Sequence, residues 1–461
     1  MPRLLFVILA MKRGDLLTVD VEKLSPKGDG LASIADREIV IPRTVPGDRV
    51  EISIKGKRRG RFEAVVESIL QSEYQRRDPS CSHFGVCGGC RWQDLGYGDQ
   101  LQIKERVVLE ALAHCQVQVG ETKPMLASPA VLFYRNKMEF SFGRDREGNL
   151  LLGLHVRGRF NHVFDLESCY LQSELSNRIV RAVRRYAGDF DLPVYDLKRH
   201  EGLLRFLVVR DGKNSGQTMV NLVVSKYPCE GVEALVGKVL DEVPEIHSFI
   251  VTLHQGKAQV AVGQRQFVLK GEGKIQESCA GLDFELSAQS FFQTNVAQAE
   301  RLYGIVLEWA GDLDGRDVLD LYCGTGAISL QLARQARSVC GIELATEAVE
   351  DAYRNARRHG LENVEFIAGA AEEVLSQFQT ARRRFDLVVV DPPRAGLHKK
   401  VRAALGNLRP PRIIYVSCNP HTLAEDLQSL VAVGYMAQWV QPVDMFPQTP
   451  HCEVVVKLLS T

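Results

Sequence analysis

The sequence contains no apolar run long enough to cross a membrane and no excess of either charge. A transmembrane helix needs about 20 consecutive apolar residues, and the apolar stretch near the start, residues 4–10, is far shorter. The cations Lys12 and Arg13 follow this stretch, and no small-residue cleavage site comes after it, which argues against a secretory signal. Met11 is an alternative start of translation. Lysine plus arginine and aspartate plus glutamate each number 57, so a surface that binds a polyanion must be local. We expect a cytoplasmic protein without a membrane segment.

The eleven cysteines lack the even count and the spacing of a disulfide framework, which indicates a reducing compartment. Three of them, Cys81, Cys87 and Cys90, fall within ten residues. A closed metal site needs a fourth ligand, and the nearest candidate is Cys169. Zinc sites typically contain two C-x2-C pairs, and only one such pair occurs here. The residues by themselves leave an iron–sulfur cluster and a zinc ion equally open.

Residues 12–70 are predicted to form a small β-barrel. Short alternating runs of apolar and polar residues are separated by turns rich in glycine, proline and aspartate. Five of the seven residues in the loop 55–61 are lysine or arginine, which suits contact with phosphates, although most charged loops are simply solvated. The pattern and the loop together resemble the TRAM domain, an OB-like RNA-binding barrel attached to RNA-modifying enzymes.

Residues 75–275 are predicted to form a mixed α+β domain that carries the clustered cysteines. An amphipathic pattern over residues 101–115 predicts a connecting helix. Residues 134–142 alternate aromatic and basic side chains on a strand pattern, which suits stacking on unpaired bases and binding of phosphates. The alternative for this stretch is an ordinary sheet with charged edges.

The last segment, residues 281–461, alternates strands with helices. This pattern predicts a doubly wound, Rossmann-like parallel sheet. Sheets of this kind build their sites at the carboxyl ends of the strands, so the residues that follow each strand carry most of the information about function.

The first glycine turn of this segment lacks the full dinucleotide fingerprint. Gly324 and Gly326 follow a buried strand and precede a helix, but the third glycine position holds Ser329. The D-x-x-x-G-x-G pattern that starts at Asp320 is the form seen in S-adenosylmethionine-dependent methyltransferases. A Gly-x-Gly pair alone is weak evidence. It becomes strong because the next strand ends in Glu343, a carboxylate that can bind both ribose hydroxyls.

The Asp-Pro-Pro-Arg turn that begins at Asp391 lacks two residues that related enzymes use. Amino-group methyltransferases carry an aromatic residue after the two prolines, and here that position is Arg394. The 5-methylcytosine enzymes carry a catalytic cysteine in this turn, whereas here the thiol comes one strand later, as Cys418. A cysteine at a strand end can be a buried structural thiol. If Cys418 is instead a nucleophile, it needs a partner base, and Glu453, at the start of the final strand, is the candidate.

Several motifs in one order resemble the RNA uracil-5-methyltransferases, and the resemblance covers nearly the whole chain. The motifs are Ser-Phe-Phe-Gln-Thr-Asn at 290–295, Asp-Leu-Tyr-Cys-Gly-Thr-Gly at 320–326, Asp-Pro-Pro-Arg at 391–394, Ser-Cys-Asn-Pro at 417–420 and His-Cys-Glu at 451–453.

The resemblance implies a 4Fe–4S cluster held by Cys81, Cys87, Cys90 and Cys169. It also implies a pocket for the methyl donor S-adenosylmethionine, lined by Gln293, Tyr322, Glu343 and Asp391.

The resemblance further implies that Cys418 is the nucleophile and Glu453 the base of methyl transfer to C5 of uridine. One departure is Ala327, where some members carry asparagine, and it puts one polar contact to the cofactor in doubt. Of the RNA targets, 23S ribosomal RNA is favoured and the T-loop of transfer RNA is the alternative. A non-catalytic RNA-binding iron–sulfur protein is the alternative from another class, and no obligate protein partner is evident.

Overall fold

The computed structural model describes residues 11–159 and 161–461. The apolar residues 4–10, on which the argument about a signal sequence rests, lie outside the described residues. No helix within the described ranges is both long and apolar enough to span a bilayer.

The first sheet contains the residues that were predicted to form a barrel. Its strands are β1 (Leu16–Asp20), β2 (Lys23–Leu24), β3 (Gly30–Ile34), β4 (Arg37–Ile41), β5 (Asp48–Arg58) and β6 (Arg61–Ser72). They pair in the order β1-β5-β6-β4-β3-β2, antiparallel except between β4 and β6. Alternate residues such as Val50, Ile52 and Ile54 are fully buried in one apolar core, as a period of two requires.

The chain then forms helix α1 (Tyr97–His114), strand β7 (Val119–Thr122) and a second six-stranded sheet. The strands of this sheet are β8 (Lys137–Arg144), β9 (Leu150–Gly153), β10 (Leu204–Asp211), β11 (Thr218–Val224), β12 (Ile246–Leu253) and β13 (Arg265–Lys270). Their order is β13-β12-β11-β10-β8-β9. Helices α2 (Glu174–Asp189) and α3 (Glu230–Glu242) share an apolar core with it.

A hairpin of β14 (Lys274–Cys279) and β15 (Leu282–Ser287) leads into the third sheet. Besides β7, the third sheet contains the strands β16 (Asp317–Leu321), β17 (Ser338–Glu343), β18 (Val364–Ala368), β19 (Leu387–Val390), β20 (Arg412–Ser417), β21 (Tyr435–Val443) and β22 (Glu453–Ser460). The order is β18-β17-β16-β19-β20-β22-β21-β7, and β22 runs antiparallel to both of its neighbours.

Helices cover both faces of the third sheet, as the alternating pattern predicted. They are α4 (Val296–Ala310), α5 (Ala327–Ala333), α6 (Thr346–Arg358), α7 (Ala371–Thr380), α8 (Lys399–Leu408) and α9 (Pro420–Ala432). Side chains of α4, α5 and α6 belong to one apolar core, and those of α7, α8 and α9 belong to the other. The Rossmann-like α/β architecture of this segment is therefore confirmed.

The grouping of α1 and β7 differs from the sequence-based expectation. Both fall inside the range 75–275, yet β7 pairs in parallel with β21, and α1 packs against α9. The helix predicted as a connector is thus part of the third sheet's helical layer. Local periodicity shows that a helix forms, but it carries no information about a partner so far along the chain. The domain boundaries themselves stay predictions.

Candidate active site

The carboxyl ends of β16, β19 and β20 lie at one edge of the third sheet. These strands are parallel; the last residues of β16 and β19 pair with each other, and β20 continues two residues beyond its last pair with β19. Tyr322 follows β16, Asp391 follows β19, and Cys418 follows β20. Three of the residues singled out in the sequence are therefore brought to the same edge.

Cys418 and Glu453 occupy facing positions on neighbouring antiparallel strands. Ser417 pairs with Val454, so the next position along both strands joins Cys418 to Glu453. Glu453 is buried, with 3% of its surface exposed, and Cys418 is half-buried. Burial, followed by the charges of Glu453 and Asp391, raises the pKa of the Cys418 thiol to about 11. The thiol and the carboxylate are thus close enough to influence each other electrostatically.

Arg394 opposes this build-up of negative charge. Its positive charge lowers the pKa of Cys418 and that of Glu453, although burial outweighs it in both cases. The amide of Asn419 donates to the Arg394 carbonyl at 3.0 Å, and the guanidinium lies 3.4 Å from Nδ1 of His451. Burial, assisted by Arg394, lowers the pKa of His451 to about 4, so this imidazole is neutral.

Sequence reasoning treated Arg394 only as a missing aromatic residue. The available signal was its position directly after two prolines at a strand end, where a rigid turn fixes the direction of the next side chain.

The glycine turn after β16 adopts a left-handed backbone at three of five positions. The φ angles of Tyr322, Gly324 and Gly326 are 65°, 54° and 84°. The amide of Gly324 donates to Glu343 at 3.1 Å, and the amide of Ala345 donates to the same carboxylate at 3.0 Å. The turn and the predicted ribose-binding carboxylate are therefore held together by backbone hydrogen bonds.

A narrow cavity of about 40 Å³ lies beside this turn. Gln293, Tyr322 and Asp391, three of the residues predicted to bind the methyl donor, line it. Glu343 does not line the cavity. It accepts a hydrogen bond from Gly324, and Gly324 does line the cavity.

Asp320 is a functional candidate that sequence reasoning named only as the start of a motif. It lines the same cavity, and its Oδ1 is buried without a hydrogen-bond partner in the described part of the chain. Burial raises the pKa of Asp320 to about 7. Burial, with the charge of Asp320, likewise raises the pKa of Asp391 to about 7. Burial, with the charge of Asp391, raises the pKa of Glu453 well above its ordinary value.

The loop that carries Gln293 is held by Asn136, directly before the second sheet begins, and by Arg210 on β10. The backbone amide and the side chain of Asn136 donate to the carbonyls of Thr294 and Gln293 at 2.8 and 2.9 Å. The guanidinium of Arg210 donates to the carbonyl of Ser290. The stretch 134–142, whose aromatic and basic pattern predicts RNA binding, thus fixes one wall of the narrow cavity.

Cys81, Cys87, Cys90 and Cys169 line one larger cavity of about 610 Å³. Burial raises the pKa of Cys87 to about 11 and that of Cys90 to about 12. Within residues 11–159 and 161–461, no three His, Cys, Asp or Glu side chains are close enough together to hold a metal ion. The four thiols share this cavity, and the charges of Cys81 and Cys169 raise the pKa of both Cys87 and Cys90.

Comparison with known proteins identifies the family. A profile described as tRNA (uracil-5-)-methyltransferase matches residues 265–461. An uncharacterized RNA methyltransferase of Caldanaerobacter subterraneus is 40% identical over 450 residues, covering 96% of this chain and 99% of the relative. One from Halalkalibacterium halodurans is 35% identical and covers 97% and 98% of the two chains.

A solved structure shares the fold along nearly the whole chain. The crystal structure of Pyrococcus abyssi tRNA (uracil-54, C5)-methyltransferase in complex with S-adenosyl-L-homocysteine is 28% identical, with a TM-score of 0.76. The match covers 96% of this chain and 99% of that one. This chain therefore belongs to the RNA uracil-5-methyltransferase family, a family of S-adenosylmethionine-dependent enzymes.

Proposed function

We propose that the protein methylates C5 of a uridine in RNA through a transient covalent bond between Cys418 and C6 of the base. The observation that carries this proposal is the pairing of a half-buried thiol with a buried carboxylate, Glu453, across two strands at the edge of the third sheet. When bound, S-adenosylmethionine supplies a methyl group on a positively charged sulfur.

The residues around the narrow cavity fit that cofactor. Glu343 is oriented by two backbone amides and can accept from ribose hydroxyls, as in other nucleotide sites. Asp320 has a buried oxygen without a partner, which a donor group of the cofactor would satisfy. Gln293, Tyr322 and Asp391 complete the wall.

Cys418 is needed because C5 of uracil is a weak nucleophile. Attack of the thiolate sulfur forms a bond to C6 and moves an electron pair through the ring onto O4, so that C5 becomes nucleophilic. C5 then bonds to the methyl carbon as the bond from that carbon to sulfur breaks. The base at this point carries both a methyl group and a hydrogen on C5.

Glu453 completes the reaction by removing the hydrogen on C5. The electron pair of that C–H bond restores the ring double bond and expels the Cys418 sulfur from C6. Because burial and Asp391 raise the pKa of Glu453, its carboxylate is a stronger base than an exposed glutamate. The target base must leave its stack to reach this edge, at a cost of a few kcal/mol.

The four thiols line one cavity, and the family resemblance implies that together they hold a 4Fe–4S cluster rather than a zinc ion. Cys81, Cys87, Cys90 and Cys169 would hold the cluster. Methyl transfer by this route includes no redox step, so the cluster would hold these loops together or contact the RNA.

The substrate is RNA, with 23S ribosomal RNA favoured. The TRAM-like barrel (12–70) and the central domain (75–275) bind RNA around the target uridine, and the catalytic domain (281–461) carries out the transfer. The T-loop uridine of transfer RNA is the second candidate, favoured by the likeness to the tRNA (uracil-54, C5)-methyltransferase. The protein acts in the cytoplasm, where RNA is available and thiols stay reduced.

The function is tested by mass mapping of 23S ribosomal RNA and transfer RNA from cells that lack the gene. We expect 5-methyluridine to disappear from one position of one pool and to return when the gene is restored. If both pools keep every 5-methyluridine, the proposed function is wrong.

The mechanism is tested with RNA tritiated at C5 of uridine. Cys418→Ala should release no tritium, whereas Cys115→Ala, a half-buried thiol outside the site, should release it at the wild-type rate. Glu453→Gln should accumulate a protein–RNA adduct that survives denaturation. Tritium release by Cys418→Ala, or no adduct with Glu453→Gln, would refute the respective role.

A further inference from the structure

A second groove, of about 870 Å³, opens at the edge of the third sheet opposite the candidate active site. Asp317, the first residue of β16, and Asp386, just before β19, line it. The strands are parallel, so their amino ends form the edge away from Asp391 and Cys418. A five-residue strand such as β16 separates the two edges by about 17 Å.

The groove is strongly basic in a chain with no net charge. Five arginines line it, against Asp317 and Asp386: Arg337, Arg382, Arg383, Arg384 and Arg409. Ion pairs bind Arg337 to Asp317 and Arg383 to Glu365, and the carboxylate of Asp386 lies 3.4 Å from Arg316.

Three arginines of this groove form no salt bridge with a side chain in the described residues: Arg382, Arg384 and Arg409. All three side chains are exposed. Within the described part of the chain, the one hydrogen bond of these side chains joins Arg409 to the main-chain oxygen of Thr461, the last residue of the sequence, at 3.2 Å. Most of their N–H donors therefore face solvent, in the fork geometry that matches phosphate oxygens.

Two of these arginines occupy backbone positions that favour glycine. The φ angles of Arg382 and Arg409 are 54° and 47°, at the ends of α7 and α8. A left-handed backbone costs an L-residue roughly 1–2 kcal/mol. The dipole at a helix carboxyl end favours a cation by about 0.3–1 kcal/mol, which offsets only part of this cost. The arginines are thus held where their backbone is disfavoured, beside one another in one groove.

We propose that this groove binds backbone phosphates of the RNA segment that flanks the target uridine. The proposal rests on the proposed RNA methylation and adds a contact surface on the far edge of the catalytic domain. The groove is much larger than one phosphate, and its free cations come from two loops, so it fits a chain of phosphates better than a single anion. A short RNA that fills only the active-site edge cannot reach it.

The test compares two probes, an unmodified 23S ribosomal RNA transcript and a three-nucleotide oligouridylate, which is too short to span both edges of the sheet, by filter binding at several KCl concentrations. R382E/R384E should weaken binding of the transcript at least tenfold and make the log–log salt dependence shallower by about two, because each lost phosphate contact removes nearly one counterion. Binding of the oligouridylate should not change.

The matched control is R357E/R358E, an adjacent exposed pair in the last turn of α6, on the other face of the sheet. It should change affinity for the transcript less than twofold. Equal weakening by both pairs, no weakening by R382E/R384E, or an equal effect on the oligouridylate would each overturn the proposal.

A second variant separates binding from folding. Arg382→Gly relieves the left-handed backbone, so it should keep or raise the melting temperature while still weakening transcript binding. If only variants with a lowered melting temperature lose binding, the proposal that this groove binds RNA is wrong. Because these are binding measurements, they stand even if the methylation assay fails.

Discussion

At the scale of single residues, the candidate active site gathers acids with few compensating cations. Burial raises the pKa of Asp320, Asp391, Glu453 and Cys418, and the charge of each raises the pKa of the next one in this order. Arg394 is the cation that opposes them at Cys418 and Glu453. The site without RNA therefore holds Cys418 as a thiol, and the pKa of this thiol depends on charges at two neighbouring strand ends, Asp391 and Arg394 after β19 and Glu453 at the start of β22.

This balance predicts the pH dependence of Cys418 alkylation by iodoacetamide. Only the thiolate reacts. With a pKa of about 11, the rate should therefore rise roughly tenfold per pH unit and should not level off below pH 9. Glu453→Gln removes a charge that raises this pKa, so alkylation at pH 9 should be faster. Arg394→Ala removes a charge that lowers it, so alkylation should be slower.

The measurement is peptide mass spectrometry of Cys418 over time, with Cys115 in the same sample as the internal control. Cys115 lies at the end of α1, and its rate should be the same in all variants. A plateau for Cys418 below pH 9, or shifts of the opposite sign in the two variants, would contradict this account of the site.

At the scale of elements, sequence patterns located the strands but not their distant partners. The strands β17 and β20 begin where their apolar runs begin, at Ser338 and Arg412, and the residues after them were read correctly as the polar ends. These features are local, because burial of a parallel strand leaves a continuous apolar run. The pairing of β7 with β21 could not be predicted, since four residues of β7 carry too weak a pattern to specify a partner.

The loop between β21 and β22 is supported by residues far from it in the sequence. Gln100, fully buried on α1, accepts from the amide of Gln448 at 2.9 Å and donates to its side chain at 3.0 Å. The carbonyl of Gln448 accepts from the amides of Arg91 and Trp92, directly after the last clustered cysteine. The segment that carries Cys90 is therefore linked by hydrogen bonds to a loop that ends at Glu453.

We expect Gln100→Leu to slow the last step of the reaction rather than RNA binding. The variant leaves buried groups of Gln448 and Leu95 without partners and removes one of the two hydrogen bonds to the Trp92 carbonyl, so the loop should shift. Displacement of a catalytic group by about 1 Å can cost about a hundredfold. The readout is accumulation of the denaturation-resistant adduct, with affinity for RNA unchanged.

The control for this prediction is Gln428→Leu, an exposed glutamine on α9 with a single hydrogen bond to the carbonyl of Cys115. It should show no adduct beyond the wild-type level. Reduced RNA affinity without an adduct in Gln100→Leu would mean that the loop serves binding and not elimination.

At the scale of the whole molecule, the first sheet makes direct contacts with residues near the candidate active site and is not joined to the rest of the protein by the chain alone. The carboxylate of Asp29, in the turn before β3, pairs with Arg91 at 3.2 Å and also with Arg157. Gly28, with a φ of 77°, lies so close to Pro450 that a Cβ there would overlap the proline. Pro450 lies three residues before Glu453. Sequence patterns suggested an RNA-binding appendage, and they could not reveal this contact because each partner is an ordinary turn or loop residue.

Asp29→Ala should therefore destabilise the protein more than the loss of a surface ion pair does. The side chains of Asp29, Arg91 and Arg157 are only 13%, 16% and 16% exposed, so the variant leaves two poorly solvated guanidinium groups without their carboxylate. We expect the free energy of unfolding to fall by about 1–3 kcal/mol, measured as a lower urea midpoint by circular dichroism.

Asp20→Ala is the matched control, because Asp20 is 73% exposed and lies 3.9 Å from Arg49. Its effect should stay within about 0.5 kcal/mol. Equal midpoints for the two variants would show that the first sheet is not held in place by Asp29.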